Sequence, residues 1–161
     1  MSSNVPVVKQ VAWISVLPQV IVMILIGLIC FLSGVKTDSI VLYMSGIYLG
    51  LGLLLRYTVP SHHRKGMQLV KKQDYTGAIP LFEASYAFFT RKSWIDEYRY
   101  VTLLSSSRMC YREMALCNIA FCYSQTGEGQ RATEYYNQTI MAYPENGIAQ
   151  SALRMLNSVG K

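Results

Sequence analysis

Residues Leu116 to Pro144 read LCNIAFCYSQTGEGQRATEYYNQTIMAYP. Leu116, Ile119, Ala120 and Tyr123 recur at i, i+3, i+4 and i+7, and Gly127 interrupts the run. Ala132, Tyr136 and Thr139 then resume it until Pro144 ends it. The pattern predicts two amphipathic helices joined by a tight turn. With Ala120 opposite Ala132, little side chain stands between the two helices and their backbones can approach closely. Tyr123 and Tyr136 fill the space on either side.

The rest of the 161-residue chain is organised around that pair. At 52% hydrophobic residues the sequence is richer in apolar side chains than an ordinary soluble domain, and the excess lies in its first third. Residues 1 to 10 are polar and are expected to be disordered. An uncharged run from Val11 to Ser33 follows, and a second from Ser39 to Leu55, each approaching the roughly 20 residues that cross a bilayer. The first run is too long for the core of a secretory signal, so it reads as a retained helix with Trp13 as an interfacial anchor. Pro18 suggests a kink, and Gln19 beside it is a candidate ligand group. Gly34, Lys36, Thr37 and Asp38 form a short turn that returns the second span antiparallel to the first. The expected organisation is two transmembrane helices, about 11–33 and 39–58, within residues 11–59, followed by a helical domain over 60–161.

Gly46 and Gly50 have the GxxxG spacing that permits close contact between membrane helices, either with the first span or with a second copy of the chain. Arg56, Arg64 and Lys65 are placed to meet lipid headgroups. His62 and His63 are adjacent, point about 100° apart on a helix and have no evident third ligand, so a basic interfacial segment is preferred to a metal site. This basic flank, with Lys71 and Lys72 beyond it, puts both termini on the cytoplasmic side by the positive-inside rule. The net charge of +6 does not need nucleic acid to explain it: from Pro60 onward there are 12 Lys and Arg against 8 Asp and Glu, and the basic residues crowd beside the spans.

The spacing in Leu116 to Pro144 resembles a tetratricopeptide repeat (TPR): a leucine, a leucine-like and a small residue, a tyrosine, a second small residue, an aromatic and a closing proline. Leu116 stands where the family often has tryptophan, and Thr139 where it usually has alanine. A weaker copy runs from His62 to Phe89. Gly66 is at its close-contact site, Asp74 to Gly77 mark its turn, and Ala78, Phe82 and Ser85 supply its second helix, with Pro80 early in that helix. Gly66 and Ala120 are 54 residues apart, against about 34 for adjacent repeats, so about 20 residues are inserted. The insertion, near Arg91 to Ser107, reads as a short helix from Trp94 to Thr102 with a capping box at Ser93 and Asp96. The next repeat is expected to start near Arg108. Glu145, Asn146 and Gly147 turn the chain into a last helix through Ile148, Ala149, Ala152, Leu153 and Leu156, which resembles a capping helix. The expected fold is all-α: a transmembrane helical hairpin, then a small TPR-like α-solenoid of about two repeats, an inserted helix and a capping helix.

The resemblance implies a binding scaffold without chemistry, cofactor or metal of its own. Repeat packing falls to Gly66, Ala78, Phe82, Leu116, Ile119, Ala120, Tyr123, Ala132, Tyr136 and Pro144. A groove for a protein or peptide falls to Met114, Cys117, Asn118, Phe121, Ser124 and Gln125. Asn118 matches one element of the TPR domains that grip a C-terminal carboxylate, but His63, Arg64, Ser151 and Ala152 stand where their lysine and arginine partners belong. Asn118 has the alternative of bridging helices. Cys110, Cys117 and Cys122 are the only candidate nucleophiles; they have no motif and no nearby histidine in sequence, and read as free thiols in a reducing compartment. Arg91, Lys92, Arg99, Arg108 and Arg112 give the insertion a basic face for lipid or an acidic partner. The sequon at Asn137 falls in a cytoplasmic helix and is read as chance.

The expected function is a membrane-anchored adaptor that binds a protein or peptide partner, with membrane lipid as a second contact, self-association possible and no nucleic acid. The alternative is an accessory structural subunit of a larger membrane complex, acting through the hairpin; a cysteine-dependent enzyme is the third reading. The compact chain and the lack of a targeting signal favour a bacterial inner membrane.

Overall fold

A computed structural model describes residues 12–159, and those residues are helical with no strand. The expected disordered segment 1–10, and Val11 at the start of the first run, lie outside the described residues. Two apolar helices come first: α1 (Val16–Leu32), entered through a 3-10 turn at Trp13–Ser15, and α2 (Thr37–Thr58). They pack along one another, with Met44 so close to Gly27 that a Cβ there would stand 3.1 Å from its sulfur. The turn between them is a Schellman motif. Gly34 takes φ +75, Gly34 N donates to Phe31 O and Val35 N to Cys30 O, which satisfies the carbonyls that the end of α1 leaves free.

By length and apolarity α2 is the one described helix that can cross a membrane; its 22 residues span about 33 Å at about 1.5 Å per residue. α1 is apolar but has only 17 α-helical residues, so the expected span of 11–33 is shorter than its sequence suggested. Pro18 does not sit inside a continuous helix as expected. It is the third residue of α1, where the missing amide hydrogen has little to break.

Seven further helices follow. They are α3 (Ser61–Lys71), α4 (Tyr75–Arg91), the short α5 (Ser93–Glu97) and α6 (Arg99–Thr102), α7 (Tyr111–Gln125), α8 (Gly129–Ala142) and α9 (Gly147–Val159). Packing runs α3 on α4, α4 on α7, α7 on α8 and α8 on α9. The core forms where the apolar stripes of these helices meet: Ala78, Phe82, Leu116, Ile119, Ala120, Tyr123, Ala132 and Tyr136 are all buried. Pro144 is exposed beyond the end of α8, and its carbonyl accepts from Gln150 Nε2.

Close helix approach is enforced by side-chain size. A Cβ on Gly66 of α3 would meet the buried Phe82 ring of α4 at 2.8 Å, so only glycine fits that crossing. Pro80 is not in the first turn of its helix as expected. Asp74 is the N-cap, accepting from Gly77 N at 2.9 Å, and α4 begins at Tyr75, which leaves Pro80 in the second turn.

The insertion departs most from expectation. The single helix predicted over Trp94 to Thr102 is broken at Tyr98 into α5 and α6, and α7 starts at Tyr111, not near Arg108. The Ser93 capping box does not form. Asp96 instead turns inward, fully buried, and accepts from Tyr111 N (2.6 Å), Arg112 N (3.1 Å) and Arg112 Nε (3.1 Å). A carboxylate on the exposed amides of a helix N-terminus is favoured both by hydrogen bonding and by the helix dipole, and that competition takes Asp96 away from its own helix. α7 also carries a capping box of its own between Cys110 and Glu113.

Candidate functional site: the groove between α3 and α7

A concave cavity of about 420 Å³ opens beside the core, with walls from α3, α7, the start of α9 and the loop ahead of α7. From α3 come His63, Met67 and Val70, spaced i, i+4 and i+7 so that one helix face presents them together. From α7 come Met114, Cys117, Asn118 and Phe121. Ser107 and Met109 come from the loop ahead of α7, Tyr136 from α8 and Ile148 from α9.

The walls are mostly apolar and rich in methionine, whose flexible thioether adapts to irregular apolar partners. Phe121 is 37% exposed and meets the Tyr75 ring edge to face at 5.9 Å. Asn118 is the polar handle. Its Nδ2 lies 3.5 Å from both His63 Nε2 and Met67 Sδ, so it bridges α7 to α3 at the long limit of hydrogen bonding.

His63 is buried, edge-on to Phe82 and Tyr111, and its Nδ1 has no partner. Burial pushes its pKa down to about 4, against a smaller upward pull from Asp96, so the ring is neutral at physiological pH. The sequence had placed His63 in a basic segment at the membrane; it is a wall of the groove, while its neighbour His62 is exposed.

Of the six groove residues read from sequence, Met114, Cys117, Asn118 and Phe121 line the cavity. Ser124 and Gln125 do not. Ser124 turns its hydroxyl back to Phe121 O at 2.7 Å, and Gln125 is the exposed last residue of α7. From α3, His63 had been set at a clamp position of the first repeat, and it lines the cavity, whereas Met67 and Val70 were missed although their spacing from His63 carries the signal.

The thiols are poorly placed for nucleophilic work. Burial pushes the Cys117 thiol up to about 11, opposed by a hydrogen bond from Asn146, and pushes Cys122 to about 11. Cys110 is raised as well, first by burial, and its sulfur serves as the cap of α7. Protonated thiols are weak nucleophiles.

The basic residues outside the groove are largely engaged within the chain. Arg112 pairs with Asp96. Arg99 donates to the carbonyls of Asp96, Ser107 and Arg108, and Arg108 reaches Glu145 at 3.4 Å. Of the basic face expected of the insertion, Arg91, Lys92 and Arg108 are exposed. Arg64 lies over the Tyr57 ring at 3.6 Å, and Lys65 is exposed. Arg56 is exposed yet donates to Leu104 O, and Gln19, the candidate ligand group, donates to the same carbonyl at 3.4 Å. Among the described residues, no atom outside their own helix backbone and chain neighbours lies within 4 Å of where a Cβ on Gly46 or Gly50 would stand, so their face is not packed against α1.

No protein-family model matches the chain, and no curated protein or solved structure does either.

Proposed function

We propose that the chain is a membrane-anchored adaptor whose TPR-like helical domain holds a protein or peptide segment in the groove between α3 and α7. The observation that carries this reading is the cavity itself: about 420 Å³, mainly apolar, with Phe121 at its mouth and Asn118 as its one amide. The TPR likeness is supported by the serial packing of α3, α4, α7, α8 and α9 and by small residues at both helix crossings, Gly66 in one pair and Ala120 with Ala132 in the other. In this reading α1 and α2 form a two-pass hairpin with both termini in the cytoplasm, and no chemistry is performed.

A photoreactive group at Phe121 tests the proposal in intact membranes, with exposed Glu128 as the control position. Capture of one discrete partner from Phe121 and not from Glu128 supports the groove. Equal labelling at both positions, or only crosslinks between copies of this chain, overturns it.

The second reading, an accessory subunit acting through its hairpin, is favoured by the open faces of Gly46 and Gly50. Exchanging the hairpin for an unrelated one separates the two: an adaptor keeps its partner and an intramembrane subunit loses it.

A further inference from the structure

α5 and α6 stand outside the α3–α4–α7–α8–α9 series, joined to it through α4 and through the Asp96 cap on α7, and they leave apolar side chains exposed. Trp94, Tyr98 and Val101 are 58%, 62% and 48% exposed, at i, i+4 and i+7, while Asp96, Leu103 and Leu104 from the same segment are buried.

Its position gives that exposure a meaning. Leu104 is wedged between the two apolar helices, its side chain 3.7 Å from where a Cβ on Gly52 would stand. The Leu104 carbonyl takes hydrogen bonds from Gln19 of α1 and Arg56 of α2, and Ala12 N donates to Ser106 O at 2.9 Å. The insertion therefore lies level with the start of α1 and the last turns of α2, where Trp13, Leu17, Val20, Leu53 and Leu54 are exposed. Irregular backbone is tolerated beside hydrocarbon only when its polar groups are satisfied internally. Leu103 N and Ser105 N both donate to Arg99 O, and Thr102 Oγ1 donates to Ile95 O at 2.7 Å.

We propose that α5 and α6 form a lipid-facing foot, with Trp94, Tyr98 and Val101 entering the headgroup and acyl boundary of the leaflet where α1 begins and α2 ends. This rests on the membrane-anchored reading above. Lipid is the occupant because α6 packs against α1 at the level where α1 and α2 expose apolar side chains, and because tryptophan and tyrosine are the residues that favour that boundary. Exposed Arg91 and Lys92 directly precede it, suited to anionic headgroups, and Glu97 is the one exposed acid within it. Hairpin and foot together hold the helical domain against the bilayer at two points.

The chain has two tryptophans, Trp13 and Trp94, and both are exposed, so each can be made the sole emitter by a conservative change to phenylalanine. The full chain is reconstituted in vesicles of phosphatidylcholine and phosphatidylglycerol, with and without bromine on the acyl chains. In Trp13→Phe, the emission of Trp94 should be blue-shifted and lost on brominated lipid. If brominated lipid quenches Trp13 in Trp94→Phe but leaves Trp94 bright, the foot is overturned and the anchor stands. If neither tryptophan is quenched, the membrane reading falls and the foot falls with it.

Discussion

The α3–α4 and α7–α8 pairs meet the same geometric demands with different residues. In the core, α7–α8 buries Ala120 and Ala132 completely, whereas α3–α4 sets Gly66 against the Phe82 ring. At the turn, both first helices end in a Schellman motif. Glu128 N donates to Tyr123 O behind Gly127 at φ +81, and Asp74 N donates to Leu69 O behind Gln73 at φ +62. At the N-terminus, α7 is capped twice, by Cys110 with Glu113 and by Asp96, whereas α3 follows α2 through Val59 and Pro60 with no side-chain cap. The motif is a set of spatial requirements, each open to several chemical answers. The pair that answers with the commoner residues is the one that can be read.

The sharpest break in the comparison is to remove the cap that only α7 has. Asp96→Ala leaves Tyr111 N and Arg112 N without their acceptor and Arg112 without its ion partner. It should destabilise the helical domain by about 3 to 4 kcal/mol, chiefly because two backbone amides lose their acceptor at about 1 to 3 kcal/mol each, while Arg112 stays partly exposed. Thermal melts of the full chain in detergent, followed by circular dichroism, measure this, with Glu97→Ala at the exposed neighbour as control. A melting point equal to the control's would mean that water replaces the carboxylate at no loss.

These same differences explain what was legible. The helices of α7–α8 and their turn at Gly127 followed from periodicity, because alternating burial leaves a direct trace in residue type, and four of the groove residues followed from the side that the TPR resemblance turns toward a groove. The insertion was misread because Asp96 obeys two rules at once. Its spacing from Ser93 suits a local capping box, but the tertiary fold offers it two backbone amides and a guanidinium, a stronger set of donors that no local pattern records. The turn after α3 was displaced in the reading because glutamine at positive φ is rare, so Gly77 attracted the assignment that belongs to Gln73. His63 had two readings, in a basic interfacial segment and at a clamp position of the first repeat, and the packing of Phe82 and Tyr111 around it makes it a buried wall.

His63 also makes α3–α4 the acid-sensitive pair. Its folded pKa of about 4 lies below the ordinary 6.5, so as pH falls through 6.5 the unfolded chain takes a proton that the folded chain refuses. Stability is therefore intact above 6.5, declines between 6.5 and 4, and levels off below that. The full loss is about 3 kcal/mol at about 1.4 kcal/mol per pKa unit. His63→Gln keeps a polar group for Asn118 without the proton, so its stability should fall less between pH 7.5 and 4.5 than that of the parent chain. Parallel curves for the two proteins would place the acid sensitivity elsewhere.

The smallest effect is the most direct comparison, because it exchanges the two turn residues. Gln73 is exposed and pays the steric penalty of the left-handed region, about 1 to 2 kcal/mol for an L residue. Glycine removes that strain but adds freedom to the unfolded chain, which offsets part of the gain. Gln73→Gly should therefore stabilise by about 0.5 to 1 kcal/mol, while Gly127→Ala should destabilise by a similar or larger amount. Opposite signs at equivalent turns would show that the Schellman geometry itself sets the preference. A loss at both positions would mean that the Gln73 side chain contributes more over the end of α3 than its backbone strain takes away, and the two turns would then share a shape without sharing an energetic logic.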